Sequence, residues 1–209
     1  MSTNTDAGAR LFNAAAERNR EPILETLRDL LTTPGTLLEI ASGTGQHAAY
    51  MAPRLPNLIW VPSDPEPAHR RSIALWSAEA DADNLRPPRD LDVTEPDWTI
   101  DDIAADLVAV YNANMIHISP WATCRGLMAG AGRYLDGGGA LCLYGPFARE
   151  GRHTSEGNVR FDAALRAENP AWGIRSLEEV TAAAAAHGLS RQRVVEMPAN
   201  NLLIAFTKP

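Results

Sequence analysis

Gly43 and Gly45 stand in the stretch "EIASGTGQHAAY" (39–50), between the apolar run "TLL" and an alanine-rich segment suited to a helix. Glycines at such a turn allow positive φ and close approach of a ligand, and the following helix offers free N–H groups. Three carboxylates punctuate this part of the chain: Glu39 in the stretch itself, Asp64 in "LIWVPSD" and Asp92 in "RDLDVT". A second polar group, Asn112, Asn114 and His117 with Trp121, is concentrated in "YNANMIHISPW". Side chains of these types orient a substrate. His117, with an ordinary pKa near ~6.5, is the first candidate general base, and Asn114 and Tyr144 complete the candidate catalytic set.

The glycine turn has three readings: a pyrophosphate site, a site for the amino-acid end of S-adenosylmethionine, or a tight turn that binds nothing. The dinucleotide pattern GxGxxG/A is met by Gly43, Gly45 and Ala48. The methyl-donor pattern, an acid followed by three alternating glycines, is met by Glu39, Gly43 and Gly45, with Ala41 in place of the first glycine and Ser42 between. The later acids favour the methyl donor. Asp64 lies where a strand end can accept from both ribose hydroxyls, and Asp92 with Val93 lies where an adenine would sit.

Lysine usage removes several chemistries. The sole lysine is Lys208, next to the last residue. A Walker loop needs a lysine directly after its second glycine, and a pyridoxal enzyme needs one for its Schiff base. The Tyr-x-x-x-Lys pair of short-chain dehydrogenases is equally out of reach, which weakens the nicotinamide reading. The two cysteines, Cys124 and Cys142, are far apart in apolar surroundings, so they read as buried thiols. Without CxxC or HxxH spacing, no metal site is expected. A net charge of −7 with scattered arginines argues against nucleic acid as the main partner. No run approaches the ~20 apolar residues of a membrane span. The opening "MSTNTDAGAR" lacks a leader pattern, so a cytoplasmic location is expected.

These residues need a frame. A loose or ligand-ordered arm is expected over 1–13, then a helix in "NREPILETLRDLL" with Asn19 as its cap and Pro22 in its first turn. Strands are expected at 36–41, 58–64, 89–94, 105–113 and 138–147. Helices fall between them at 46–52, at 66–80 with Ile73 and Trp76 inward, and at "SPWATCRGLMAGAGRYL". Ser119 caps that last helix, Pro120 takes its first position, and Trp121 belongs to its buried stripe. Two more helices follow. One covers 157–168 with Phe161 and Leu165 inward; the other covers 177–187 between a Ser176–Glu179 capping box and Gly188. "SRQRVVEMP" and "NLLIAFTK" close the chain as a hairpin. The sum is one α/β domain over 1–209, a doubly wound, seven-stranded and mostly parallel sheet with an antiparallel C-terminal hairpin strand.

With these motifs in place, the sequence resembles the class I S-adenosylmethionine-dependent methyltransferases. More narrowly, it resembles the DUF938 family, which includes the methyltransferase-like 26 proteins. The resemblance rests on "AAERNREPIL", "LLEIASGTGQHAAY", "WVPSDPE", "NANMIHISPW", "GPFAREGRHTSEGNVRFDAALR" and "NPAWGIRSLEEV" in that order. It implies a Rossmann-like methyltransferase domain with S-adenosylmethionine as cofactor. Glu39, Ala41, Ser42, Gly43 and Gly45 then hold the methionine end, Asp64 the ribose, Asp92 and Val93 the adenine, and Asn112 lies beside the sulfonium. The arm and helix of 1–34 close over the donor, with Arg18 and Asn19 near its carboxylate. The polar segment 146–175 is expected to act as a lid or substrate segment, and Trp121, Arg149 and His153 to contact a small-molecule acceptor. The competing expectations are a donor-binding protein without turnover that acts through partners, and a nicotinamide oxidoreductase.

Overall fold

The computed structural model describes residues 10–209, so most of the expected arm lies outside the described residues. Helix α1 (Ala14–Leu30) begins earlier than expected, because Asn13 caps it: the Asn13 side chain accepts from the Ala15 and Ala16 N–H groups. Asn and Ala suit the cap and first turn so well that the helix runs back past Asn19, which therefore is not a cap. Pro22 falls inside the helix rather than in its first turn.

The main sheet contains β1 (Gly35–Ile40), β2 (Leu58–Pro62), β3 (Leu107–Ala113), β4 (Ala140–Gly145), β7 (Ser190–Met197) and β8 (Asn201–Thr207). Their order is β2-β1-β3-β4-β8-β7. The first four are mutually parallel, whereas β8 runs antiparallel to β4 and β7 antiparallel to β8. Two short strands, β5 (Phe147–Ala148) and β6 (Arg175–Ser176), pair separately. Among the described residues the main sheet thus has six strands, not seven. The missing one is "RDLDVT". Its segment follows the edge of β2 through the Arg86 and Arg89 N–H groups, both 2.9 Å from their acceptors. Pro87 and Pro88 lack donors, and Asp92 then turns onto Thr94, so no ladder extends.

Successive residues along each strand face opposite sides of the sheet, as the two-residue strand period requires. Leu37, Tyr111, Cys142 and Leu203 pack against α1 and α2 (Gln46–Met51), while Leu38, Val110, Leu141 and Ile204 pack against α5 (Trp121–Tyr134) and α7 (Leu177–Ala185). Covering both faces is what makes the strands read as continuous apolar runs. Both cysteines are buried, and burial pushes each thiol up to about 12.

The remaining helices are α3 (Pro67–Ala80), a short α4 (Asp101–Ala104) and α6 (Glu156–Glu168). Helix α6 turns Asn158, Asp162 and Leu165 inward and leaves Phe161 exposed, contrary to expectation. The Asp162 carboxylate is satisfied there by the Ile174 N–H and Arg166, so a polar face can pack inward. Ser119 does not cap α5; its hydroxyl donates to the Met115 carbonyl, and Pro120 holds the cap position. Ser176 does cap α7, accepting from Glu178 and Glu179. Among the described residues no helix is long and apolar enough to cross a membrane.

Candidate functional site

The topology reverses beside β1, which pairs with β2 on one side and β3 on the other. Ligands of doubly wound sheets bind at such a point, outside the carboxyl ends of the strands. There the chain leaves β1 through three left-handed residues, Ala41 at φ +52°, Gly43 at +56° and Gly45 at +90°. Ala41 holds the conformation that the glycine of the methyl-donor pattern would hold, at a cost of roughly 1–2 kcal/mol. The two glycines differ in role. A Cβ on Gly45 would lie 2.7 Å from the Ile73 Cα, so this glycine lets α3 pack against the loop. A Cβ on Gly43 would meet nothing within 4 Å, so this one faces open space.

That space is a two-armed groove. One arm, about 390 Å³, is lined by Ile40, Asp64, Asp92, Val93 and Met115. The other, about 310 Å³, is lined by Asn13, Asn19, Glu39, Thr44, His47 and Asn114. Ala41, Gly43, His69, Ala113 and Ile118 line both, so the arms meet over the glycine turn.

The three sequence-predicted carboxylates all reach this groove, in different environments. Glu39 is buried, its carboxylate accepts from the Trp60 indole at 2.9 Å, and burial pushes its pKa up to about 7. Asp64 accepts from the Gly43 and Glu66 N–H groups, each at 2.9 Å, and from His69 at 3.0 Å. Asp92 is exposed, and its carboxylate takes the Thr94 N–H and hydroxyl, both at 2.8 Å. Beside it Val93 is buried, an apolar wall next to a polar rim.

The expected acceptor residues divide. Asn114, itself left-handed at φ +65°, lines the second arm, and its N–H holds the Tyr144 carbonyl at 2.8 Å. Asn112 is buried and ties β3 to β1 by donating to the Ile40 carbonyl at 2.9 Å. His117 does not reach the groove. It is 0% exposed, packs edge-on against Phe147, and accepts the Arg175 N–H on Nδ1 at 3.2 Å. Burial and the nearby Arg175 charge lower its pKa to about 3, so the imidazole is a neutral packing element rather than a base open to an acceptor. Tyr144 is likewise buried in the core, and burial raises its pKa.

Four further expectations are corrected in position. Arg18 is exposed on α1 and is not among the residues lining either arm. Trp121 is half-buried beneath the Arg175 guanidinium and borders a separate depression between α5 and α7. Arg149 pairs with Glu196 on β7 at 2.7 Å, and His153 faces Asp162 at 3.6 Å. The segment 146–175 is thereby bound to its own strands and helix, through β5–β6 pairing and the Asp162 contacts, and leaves the groove to other residues.

Asn19 does line the groove, but as a partner of His47, a residue that sequence reasoning missed. The two meet at 2.8 Å, and the Tyr111 hydroxyl lies 3.4 Å from the other ring nitrogen of His47. Burial lowers the His47 pKa to about 4. Its position in the first turn after Gly45 was the available signal, since side chains there face whatever the turn holds. His69 was missed as well; its place in the first turn of α3, past Asp64, carried a similar signal.

A strap crosses the loop from the N-terminal side. The Leu11 N–H donates to the Ser72 hydroxyl at 2.9 Å, which in turn donates to the Thr44 carbonyl at 2.8 Å. The Asn13 N–H reaches Gln46 at 2.6 Å, and the Trp76 indole donates to the Leu11 carbonyl at 2.9 Å.

A family described as "Protein of unknown function (DUF938)" matches residues 10–208. Among solved structures, the chain is similar to the S-adenosylmethionine-dependent methyltransferase SibL in its apo form. The identity is 16% and the TM-score 0.77, covering 94% of this chain and 56% of that one. An O-methyltransferase family 2 protein from Planctomyces limnophilus, in complex with apigenin, matches with 19% identity and TM-score 0.74, over 93% and 58%. PigF with SAH matches with 16% identity and TM-score 0.75, over 92% and 56%. The chain thus spans somewhat over half the length of these proteins. At such identities the likeness shows the fold.

Proposed function

This chain belongs to the DUF938 family, and from that premise we propose that it is an S-adenosylmethionine-dependent methyltransferase acting on a small molecule. The observation that carries the reading is the groove over Gly43, where an open glycine turn is shared by two cavities, one lined by Asp64 and Asp92 and the other by Glu39. The arm with Asp64, Asp92 and Val93 suits an adenosine, with a carboxylate for the ribose, a polar edge for the adenine amino group and an apolar wall for its ring. The arm with Glu39, Thr44 and Asn19 suits the polar methionine end. When bound, the donor supplies a sulfonium methyl group that an acceptor removes by in-line displacement.

The chain's own residues contribute alignment. Ile118 lines both arms, and Asn114, Asn19 and His47 line the second. A positioned acceptor gains most of its rate from such near-attack geometry. His117 is buried and His47 is buried between Asn19 and Tyr111, so neither is open to an acceptor as a base; the histidine exposed at the groove is His69. One solved neighbour was crystallised with apigenin, in keeping with a small-molecule acceptor.

Calorimetry with S-adenosylmethionine and NADH, run side by side, tests the proposal. Binding of the sulfonium compound alone is expected. Binding of NADH alone would return the nicotinamide reading, and binding of neither would leave the glycine turn without a nucleotide role.

A further inference from the structure

His69 stands where the two arms of the groove meet and lines both, with its side chain 41% exposed. Its Nδ1 lies 3.0 Å from Asp64 Oδ1, and because a carboxylate only accepts, Nδ1 carries the proton. That contact is not what holds the carboxylate in place. The Glu66 N–H reaches Oδ1 and the Gly43 N–H reaches Oδ2, each at 2.9 Å, so backbone donors already pin both oxygens. Asp64 itself is 3% exposed.

A carboxylate offers about four acceptor directions, roughly two on each oxygen. Oδ1 is filled by Glu66 and His69, while Oδ2 keeps one direction beside Gly43. A ribose brings two vicinal hydroxyls, so a carboxylate that reads both needs one more direction than Asp64 has free. We propose that His69 occupies the acceptor position of one ribose hydroxyl on Asp64 and has to swing out before a ribonucleoside donor seats fully. His69 is then an affinity-determining residue that works against the donor. Its half-exposed ring can turn into solvent, at a cost on the scale of about one hydrogen bond.

The inference rests on the reading of the groove as an S-adenosylmethionine site. The test is calorimetry of S-adenosylhomocysteine and its 2′-deoxy and 3′-deoxy analogues with the wild type, His69→Ala and His69→Asn. His69→Ala is expected to bind S-adenosylhomocysteine about three- to tenfold more tightly, the scale of one hydrogen bond. The gain should vanish for one deoxy analogue, the one lacking the hydroxyl that His69 displaces. His69→Asn keeps an N–H near the Nδ1 position and should bind like the wild type. Equal or weaker binding by His69→Ala overturns the inference, as does a gain that survives removal of either hydroxyl. If the wild type binds no S-adenosylhomocysteine, the reading of the groove fails first and the inference falls with it.

Discussion

The Trp60 indole donates to the Glu39 carboxylate at 2.9 Å across the β1–β2 pair, inside the core and at the floor of the groove. This is a buried acid with one good donor. Its pKa is raised to about 7, chiefly by burial, with the Trp60 bond pulling the other way. Because the folded state holds the proton more tightly than the unfolded one, Glu39 adds most stability below its unfolded pKa, and this is lost as pH rises through about 7. Glu39→Gln keeps an oxygen for Trp60 and removes the titration. Its unfolding free energy should gain on the wild type from pH 4.5 upward and level off above about pH 7, by an amount approaching about 3 kcal/mol. Parallel melting curves for the two proteins across that range would reject the assignment.

The two glycines of the turn should separate cleanly. Gly45→Ala forces a Cβ to 2.7 Å from backbone, so it should lower stability by roughly 1–3 kcal/mol or more. Gly43→Ala meets open space and bears only the left-handed backbone cost of about 1 kcal/mol, yet it puts a methyl group into the proposed donor site. Thermal melts should rank Gly45→Ala as the less stable protein, and calorimetry should show lost S-adenosylhomocysteine affinity in Gly43→Ala.

Asp64→Ala removes the proposed ribose acceptor and strands the Gly43 N–H. Donor affinity should fall by about 1–3 kcal/mol. An unchanged dissociation constant would withdraw Asp64 from the site.

His117→Ala should behave as a core truncation. His117 is fully buried against Phe147, so a loss of roughly 2–4 kcal/mol in stability is expected from denaturant titration. Affinity for S-adenosylhomocysteine, measured well below the melting temperature, should stay within about twofold of the wild type, since only differences above ~0.4 kcal/mol exceed that factor.

Asn13→Ala removes the cap of α1 and should cost about 1 kcal/mol, read from the same titration.

The sheet was legible because parallel strands buried on both faces are apolar throughout, as "LVAVYNA" and "ALCLYG" are. "RDLDVT" misled because its alternation suits a strand, while the two prolines before it deny the ladder its donors. Glu39 and Asp64 could be placed because the apolar runs of β1 and β2 fix where those strands end, whereas Asp92 was placed at the end of a strand that does not form. The acceptor side was not legible. In "NANMIHISPW" a left-handed Asn114 and a short helical turn decide which side chains face out, and those turns rotate Asn114 to the groove and His117 into the core. His47 and Asn19 meet from separate helices, α2 and α1, and nothing local to either residue announces the other.

The hydrogen bonds from Leu11 to Ser72, and from Asn13 to Gln46, have a practical corollary. Ser72 also grips Thr44, so on the proposed reading tension on the chain upstream of Leu11 would reach the turn beneath the donor site. A purification tag or fluorophore fused there would both sense and perturb ligand capture, whereas one attached after Pro209, beyond the β8 strand, would leave it undisturbed.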